Sequence, residues 1–312
     1  MKGKISIIGA GQVGATAAHI ILQKGFADIV LLDIAEGLSQ GKALDLGQSG
    51  VVERYDSSII GTNDYNDVEG SDIVFITAGL ARKPGMDRLD LLKKNAAIIK
   101  DVVQNITSRC PHCVIIMMTN PVDILTYLAW KISGFPHRRV LGQAGALDTA
   151  RFSYFISEEL RVPAKDIKTV VLGGHGDTMV PLPGLTTVKG KKITELLTDA
   201  RLAGLIQRTR RGGAEIVSLL KTGSAYYAPA AAAVSMMESI MFDKKEIMPV
   251  SVYAEGEYGI KDVYIGLPVM LGEHGAEQII ELDLSPAELS SLQKSALVYK
   301  NGISDLKEYT NN

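Results

Sequence analysis

The segment GAGQVG, residues 9–14, constrains the fold of this chain more than any other feature. It follows the apolar run ISIIG and opens the helical pattern QVGATAAHIILQKG. Asp33 closes the next apolar run, about twenty residues after the glycine-rich turn, which is the separation of the dinucleotide fingerprint. A strand, a glycine-rich turn, a helix and an acidic residue in this order predict a Rossmann-type beginning to the chain.

Each part of this fingerprint has a physical task. Gly9 allows the tight turn, Gly11 lets a pyrophosphate approach the backbone, and Gly14 lets the helix pack close to the strand. The helix N-terminus then faces the phosphates. Asp33 would bind the ribose hydroxyls and repel a 2′-phosphate, and the two residues after it add no cation, so NAD is favoured over NADP. The predicted cofactor-binding residues here are Gly9, Ala10, Gly11, Gln12, Val13, Gly14 and Asp33.

The remaining pattern predicts an α/β fold in two parts. Apolar runs rich in Ile and Val alternate with helical patterns, and the runs lie at residues 5–9, 28–33, 71–79 and 113–121. Strands that are apolar on both faces indicate a parallel sheet covered by helices on both sides. From about residue 145 the pattern changes to helices mixed with hairpin-like strands. We predict an N-terminal Rossmann doubly wound parallel sheet over 1–144 and a C-terminal α+β substrate domain over 145–312.

Two helical signals stand out in the second half. The segment 199–242 is helical throughout, apart from an interruption at TGSAYYAP. The segment SPAE predicts the start of the last helix, with Ser285 as N-cap, Pro286 at the first helical position and Glu288 closing a capping box.

Composition excludes several classes of function. The formal net charge of −2 argues against a nucleic-acid or membrane-surface protein. The one basic run, RTRR at 208–211, is interpreted as a solvated helix face. The sequence contains no pattern of a targeting segment, and no run approaches the roughly 18 apolar residues needed to span a bilayer. We expect a soluble, cytoplasmic protein that binds neither nucleic acid nor membranes.

The two cysteines form the motif CPHC, residues 110–113. Read alone, this is the spacing of a thiol–disulfide active site, which needs a sulfur at a helix N-terminus. Here the motif follows the long helical pattern from Leu89 to Ser108 and precedes an apolar strand. We therefore interpret it as the turn between a helix and a strand.

A cationic loop is predicted in the segment LARKPGMDRLDLL, residues 80–92. Arg82, Lys83 and Arg88 surround the Pro84-Gly85 step, and both residue types of that step favour loops. In a nearly neutral chain, such a loop is expected to close on a negatively charged ligand. Lys83 is interpreted as a solvated companion of the two arginines.

Three further segments carry groups suited to hydride-transfer chemistry. MTNPVD (118–123) follows a strand, GALDTAR (145–151) has Asp148 and Arg151 one helical turn apart, and GGHGDTMVP places His175 between glycines. Oxidation of a secondary alcohol calls for a base near neutrality, which histidine supplies. A carboxylate stabilises the resulting imidazolium, and a guanidinium binds a substrate carboxylate bidentately.

Taken with the glycine turn and the cationic loop, these segments make the chain resemble the lactate/malate dehydrogenase family. The resemblance extends from residue 4 to the last helix and is strongest to the malate dehydrogenases that are lactate-dehydrogenase-like in sequence. It implies NAD-dependent, reversible oxidation of (S)-malate to oxaloacetate. It also implies a homodimer or homotetramer, for which helices near 36–47 and 147–160 are candidate interfaces. No metal site is predicted.

The resemblance also implies roles for individual residues. His175 matches the proton acceptor and Asp148 the carboxylate that orients it. Arg151 matches the clamp on the C1 carboxylate, and Arg88 the group that polarises the reacting carbonyl. The implied substrate-binding residues are Arg82, Arg88, Asn120 and Arg151. The implied further cofactor contacts are Asn95, Met118, Thr119 and Asn120.

Position 82 separates the two most similar activities. Arg82 is left to bind the second carboxylate of a dicarboxylic acid, whereas the resembling lactate dehydrogenases have a glutamine there. Ala225 stands where lactate-specific members have a threonine. The alternatives are a dehydrogenase of lactate or another 2-hydroxy acid, a CxxC oxidoreductase, and a non-catalytic nucleotide-sensing module.

Overall fold

The structure, a computed structural model, describes residues 2–80, 88–306 and 309, and of Arg88 only the backbone. The α-helices are α1 (Gln12–Lys24), α2 (Leu38–Glu53), α3 (Arg88–Arg109), α4 (Val122–Ser133), α5 (Gly145–Leu160), α6 (Ile193–Leu196), α7 (Asp199–Leu220), α8 (Tyr227–Met241) and α9 (Pro286–Ile303). The strands are β1 (Gly3–Ile8), β2 (Ala27–Leu32), β3 (Ile59–Thr62), β4 (Ile73–Ile76), β5 (Val114–Met117), β6 (Val140–Gly142), β7 (Ile167–Lys168), β8 (Val171–Leu172), β9 (Val180–Pro181), β10 (Thr187–Val188), β11 (Lys191–Lys192), β12 (Glu246–Glu255), β13 (Lys261–Gly272) and β14 (Gly275–Ile279).

The main sheet has the strand order β14-β13-β12-β6-β5-β4-β1-β2-β3. Strands β1 to β6 are parallel, and their order 3-2-1-4-5-6 is that of the doubly wound dinucleotide-binding fold. The predicted Rossmann sheet is therefore confirmed.

The second half of the chain also contributes to this sheet, which the sequence did not predict. Strands β12, β13 and β14 form antiparallel hairpins, and β12 joins β6 through the pairing of Ser251 with Gly142. The sheet is therefore continuous across the predicted boundary. The division into domains at residues 144 and 145 stays a prediction.

The period-two pattern of the central strands explains why helices cover both faces. In β4, Ile73 and Phe75 pack in one cluster with α1 and α8, whereas Val74 and Ile76 pack in the other with α3 and α4. All four side chains are fully buried. Burial of each such side chain stabilises the fold by about 1.5–3 kcal/mol relative to leaving it exposed.

Other expectations for the second half are confirmed. The hairpin character predicted for the segment MVPLPGLTTVKGKKI (179–193) corresponds to the antiparallel pair β10–β11, and β9 at its start pairs with β8. The interruption at TGSAYYAP separates α7 from α8. At the start of α9, the Ser285 hydroxyl accepts from the Glu288 N–H, the Glu288 carboxylate accepts from the Ser285 N–H, and the capping box is complete.

The fold brings the candidate residues to one edge of the sheet. The glycine turn follows β1, and Asn120 follows β5, so both lie where ligands bind in open α/β sheets. The segment that carries His175 follows β8. It is anchored to β13 by mutual backbone hydrogen bonds between Gly173 and Gly266, of 2.9 and 3.2 Å.

Candidate active site

The three glycines of the turn after β1 differ in their surroundings. Gly9 has a φ of +110°, and a Cβ there would collide with Thr77 and the backbone of Ala78. A Cβ on Gly14 would collide with the carbonyl oxygen of Gly9. At Gly11, by contrast, no described atom lies within 4 Å of the Cβ position. Two glycines therefore allow close packing, and the middle one leaves open space in which a pyrophosphate fits.

The N-terminus of α1 is suited to an anion. Gly11 is its N-cap, and within the described residues no side chain caps the first amides. Gln12 and Val13 form the first turn, which carries no acidic residue. Free amides and the helix dipole favour negative charge at this position. The turn therefore fits the phosphates of a dinucleotide.

Asp33 does more than the sequence suggested, because its carboxylate also fixes the turn. Oδ2 accepts from the Ala10 N–H (2.7 Å) and Oδ1 from the Ala35 N–H (2.9 Å). The carbonyl of Ala10 accepts from Lys42 Nζ at 2.7 Å. Asp33 and Lys42 thus bind the backbone N–H and the backbone carbonyl of Ala10, respectively. A carboxylate has about four lone-pair sites, so Asp33 retains capacity for ribose hydroxyls.

The sequence did not predict a role for Lys42, because a cation was expected only in the two residues after Asp33. The helix α2 carries Lys42 back to the glycine turn, so a cation does lie beside Ala10. Nothing in the local pattern of α2 distinguishes Lys42 from a solvated lysine, and only the tertiary fold shows the contact.

His175 and Asp148 form a hydrogen-bonded pair. Nδ1 of His175 lies 2.9 Å from Oδ2 of Asp148, and Oδ1 of that carboxylate accepts from Arg151 Nη1 at 3.2 Å. Asp148 is buried, whereas 17% of the His175 side chain remains exposed. An ionised carboxylate only accepts, so Nδ1 carries the proton in the neutral ring and Nε2 is left as an acceptor.

The surroundings of the imidazole favour its charged form. Burial lowers the pKa of His175, but the charge and hydrogen bond of Asp148 outweigh it. Arg151 opposes this effect and Asp123 adds to it. The net result is a pKa above the usual value of 6.5 for histidine.

The backbone of His175 is held as firmly as its ring. Its N–H donates to Asp123 Oδ2 (2.9 Å), and its carbonyl accepts from the Tyr299 hydroxyl (2.8 Å). A Cβ on Gly174 would collide with the Tyr299 ring, so glycine is required there. The structure shows that Gly174 makes room for Tyr299.

The side chain of Arg151 packs against helix α7 at Gly212 and Gly213. A Cβ on Gly212 would come within 3.3 Å of Arg151 Cδ, and one on Gly213 within 3.5 Å of Nη2. A glycine inside a helix costs about 1 kcal/mol relative to alanine, and the tight approach to Arg151 gives a packing reason for Gly212, whereas the distance at Gly213 is ordinary van der Waals contact. This Gly-Gly pair was present in the sequence, directly after RTRR, and was not used.

The residues after β5 are linked to the beginning of the cationic loop. Asn95 is fully buried, and its side chain bonds the Leu80 N–H (2.8 Å) and the Asn120 carbonyl (2.8 Å). Thr119 Oγ1 donates to the Ala78 carbonyl at 2.7 Å, and Met118 is half-buried beside it. Asn95 has no exposed surface for a ligand, so we propose that it acts by holding the backbone of Asn120.

The cationic loop itself lies largely outside the described residues. This applies to Arg82, Lys83 and the Pro84-Gly85 step, and to the side chain of Arg88, whose backbone begins α3. The structure therefore brings together His175, Asp148 and Arg151 and places the glycine turn and Asn120 at the same sheet edge. The assignments of Arg82 and Arg88 stay predictions.

The CPHC motif lies away from this site. Cys110 and Cys113 are both free thiols and both buried, between α3 and β5. Burial raises the pKa of Cys113, which keeps its sulfur in the unreactive thiol form. The placement agrees with a helix–strand turn. Among the described residues, no group of His, Cys, Asp or Glu could hold a metal ion, and no helix is long and apolar enough to cross a membrane.

The sheet is doubly wound and has an open glycine turn, and a partly exposed histidine is paired with a buried carboxylate. Together these features define a dinucleotide-dependent dehydrogenase. Sequence models of known families specify the class. The model of the lactate/malate dehydrogenase NAD binding domain matches residues 3–142. The model of the lactate/malate dehydrogenase alpha/beta C-terminal domain matches residues 145–310. The chain belongs to the lactate/malate dehydrogenase family, and it is an NAD-dependent oxidoreductase.

Individual relatives cover nearly the whole chain. A malate dehydrogenase of Roseiflexus sp. is 52% identical over 98% of this chain and 99% of its own length. The crystal structure of Cryptosporidium parvum malate dehydrogenase superposes with a TM-score of 0.96, at 42% identity over 99% and 100% of the two chains. The lactate dehydrogenase of that organism, complexed with lactic acid and β-nicotinamide adenine dinucleotide, superposes with a TM-score of 0.95. Its sequence is 42% identical, over 100% of this chain and 99% of its own.

Proposed function

We propose that this protein catalyses the NAD-dependent, reversible oxidation of (S)-malate to oxaloacetate, with His175 as proton acceptor and donor. The observation that carries the proposal is the 2.9 Å hydrogen bond between His175 and Asp148, beside Arg151 on the same carboxylate. Curated relatives named malate dehydrogenase, 52% identical over nearly the full length, support the choice of substrate.

The proton in this reaction moves through His175. Asp148 holds Nδ1, so Nε2 takes the hydroxyl proton of malate as the C2 hydrogen leaves as hydride and the C2–O bond becomes a carbonyl. NAD, when bound, supplies the acceptor for that hydride. In the reverse direction the imidazolium returns the proton to the oxygen of oxaloacetate. Asp148 stabilises the imidazolium without itself taking the proton.

The other residues bind and orient. Arg151 is proposed to clamp the C1 carboxylate, since a guanidinium offers two parallel N–H donors to a carboxylate. Arg88 is proposed to polarise the reacting oxygen and Asn120 to bind the substrate beside the nicotinamide. The glycine turn, the N-terminus of α1 and Asp33 are proposed to hold the dinucleotide, with Met118 and Thr119 lining its path.

Substrate choice is proposed to rest on Arg82. Overall fold does not separate the two activities, because a malate and a lactate dehydrogenase superpose on this chain equally well at the same identity. The second carboxylate of oxaloacetate would pair with Arg82 in the closed site. A methyl group in that place would leave an enclosed guanidinium unpaired, which is costly.

We further propose that the protein is a homodimer or homotetramer. Val51 and Val52, near the end of α2, are 84% and 82% exposed, and Leu44 on the same helix is 65% exposed. Large apolar side chains grouped on one helix favour a covered surface. Light scattering combined with gel filtration measures the mass directly, and a mass of 33.5 kDa would contradict the proposal. The cytoplasmic location stays a prediction, and we propose a role in the tricarboxylic acid cycle.

Initial rates test the proposed activity. With NADH saturating, kcat/KM for oxaloacetate should exceed that for pyruvate, and NADPH should be the poorer cofactor. Faster reduction of pyruvate would instead support the alternative, a lactate dehydrogenase, which the similarity to the lactic-acid complex favours. Tight NADH binding without turnover of any 2-oxo acid would indicate a nucleotide-sensing module.

A further inference from the structure

A second buried carboxylate, that of Asp123, contacts the backbone of His175 and takes no part in the proposed proton transfer. Asp123 is in the first turn of α4, with 1% of its surface exposed. Its Oδ1 accepts from the Ser251 hydroxyl at 2.6 Å, and its Oδ2 accepts from the His175 N–H at 2.9 Å. Burial of a charged group is costly, and these bonds offset part of that cost.

Because of the position of Asp123 in the fold, these hydrogen bonds connect segments from the two halves of the chain. Asp123 follows Asn120 by three residues, at the carboxyl end of β5 in the first half of the chain. Ser251 belongs to β12 and His175 to the segment after β8, both in the second half. The carboxylate therefore fixes the distance between the segment that carries Asn120 and the backbone of the proposed base.

We propose that Asp123 is a positioning residue for hydride transfer. Its carboxylate holds the backbone of His175 at a fixed distance from the segment that carries Asn120. Its negative charge stabilises the imidazolium form of the His175 ring. This inference rests on the proposed function, in which His175 is the base. It assigns separate tasks to two carboxylates, because Asp148 orients the ring and Asp123 orients the residue.

The charges around Asp123 support an electrostatic contribution. It faces His175 and Asp148, with Arg151 beyond Asp148, while β12 contributes the neutral Ser251. Burial raises the pKa of Asp123 to about 6, against the bonds from Ser251 and the His175 amide and the charge of His175. The charge of Asp123 in turn raises the pKa of His175. Loss of that charge should therefore lower the pKa of the histidine.

The decisive variant is Asp123→Asn. Asparagine has the same shape, its oxygen can still accept from the His175 N–H, and its amide can donate to the Ser251 oxygen, so the fold should be retained. The matched control is Thr126→Val, one turn later on α4. Thr126 is equally buried and donates to the Val122 carbonyl, and it lies beside Gly142 rather than His175.

The readout is the pKa of His175, measured by NMR titration of histidine-labelled protein with NADH bound. The chain has five histidines, and the His175→Asn variant, which lacks the signal, assigns it. In Asp123→Asn the pKa of His175 should fall by about one unit, the scale of a nearby charge. Thr126→Val should leave it unchanged while lowering the melting temperature.

Kinetics supply the second readout. Asp123→Ala removes the anchor as well as the charge, and kcat should fall by about 10²-fold, as for a reacting group misplaced by an ångström. KM for NADH should stay within about twofold, since the affected group binds no cofactor. Asp123→Asn should lose less kcat than Asp123→Ala, because it keeps the hydrogen bond.

An unchanged His175 pKa together with wild-type kcat in Asp123→Asn, and equal losses in Asp123→Ala and Thr126→Val, would overturn the proposal. Such a result would leave the proposed function intact, since initial rates with 2-oxo acids test the activity and the His175→Asn variant tests the base. Conversely, retained activity in His175→Asn would remove the assignment of His175 as the base, while the NMR titration would still measure the coupling between Asp123 and the imidazole.

Discussion

Arg151 and His175 share one carboxylate: Oδ1 of Asp148 accepts from Arg151 Nη1 at 3.2 Å, and Oδ2 lies 2.9 Å from His175 Nδ1. Asp148 and Arg151 are three residues apart on α5, so a single helical turn presents both on the same face. The group proposed to clamp the substrate is therefore fixed relative to the group proposed to take its proton. A displacement of α5 would disturb binding and proton transfer together.

Substitution of His175 by asparagine should remove the base and leave the cofactor site intact. We expect a loss in kcat of at least about 10²-fold, the low end for general acid–base catalysis. NADH titration by fluorescence should give an unchanged Kd, which serves as the internal control. A variant that keeps more than half the wild-type rate would show that another residue is the base.

Asp148→Asn should be nearly as damaging, for a different reason. An asparagine amide in place of the carboxylate can donate to Nδ1 and would then leave the proton on Nε2, the wrong tautomer for accepting one. Loss of the charge should also lower the pKa of His175, because Asp148 is what raises it. We expect kcat for malate oxidation to fall by more than about 10²-fold. Wild-type kinetics with an unchanged histidine pKa would contradict this role.

Variants of Asp33 should separate its two tasks. Asp33→Asn removes the charge but keeps an oxygen for the Ala10 N–H, whereas Asp33→Ala loses both. In both variants the preference for NAD over NADP should decrease, because repulsion of the 2′-phosphate is removed. KM for NAD should rise more in Asp33→Ala, in which the turn is also released.

Lys42 supplies the control for the Asp33 experiment. Its ammonium lies beside the same turn, so it should provide part of any gain in NADP binding. The double variant Asp33→Asn with Lys42→Met should therefore lose much of that gain. Unchanged steady-state preference for NAD in both Asp33 variants would mean that the discriminating group lies elsewhere.

Arg82→Gln should change the substrate. We expect kcat/KM for oxaloacetate to fall by more than about 10²-fold, in line with roughly 3 kcal/mol or more for one partner of a desolvated charge pair. Pyruvate reduction should rise in the same variant. Lys83→Gln is the matched control from the same loop and should alter neither. Equal slowing of both substrates by Arg82→Gln would leave Ala225 as the next position to test.

Local patterns predicted those parts of the fold that short-range chemistry determines. The glycine turn, α1, Asp33 and the capping box at Ser285 each depend on residues close in sequence, and the structure has them all. The short strands IIGT and VLG were not recognised, because each has only two consecutive large apolar residues, whereas the recognised four-residue strands IVFI and VIIM are apolar throughout. The pairing of Ser251 with Gly142, which extends the sheet, involves residues distant in the chain and has no local signal.

The candidate site shows the same division. His175, Asp148 and Arg151 were identified through a family resemblance, since 27 residues separate the histidine from its carboxylate. Asp123 lies within the segment MTNPVD, in which only Met118, Thr119 and Asn120 were predicted to be functional. Its contacts with His175 and Ser251 come from other elements of the fold. Contacts of this kind depend on packing between distant segments, which sequence spacing does not reveal.

The most direct test of the proposed mechanism is the pH dependence of kcat/KM in both directions. Oxaloacetate reduction needs the imidazolium, so its kcat/KM should be constant at low pH and fall about tenfold per unit above the pKa of His175. Malate oxidation needs the neutral ring and should rise to a plateau across the same range. Both midpoints should lie above 6.5, since the pKa of His175 is raised by Asp148. Profiles of the same shape in the two directions, or no titration in either, would contradict the assignment of His175 as the proton acceptor and donor.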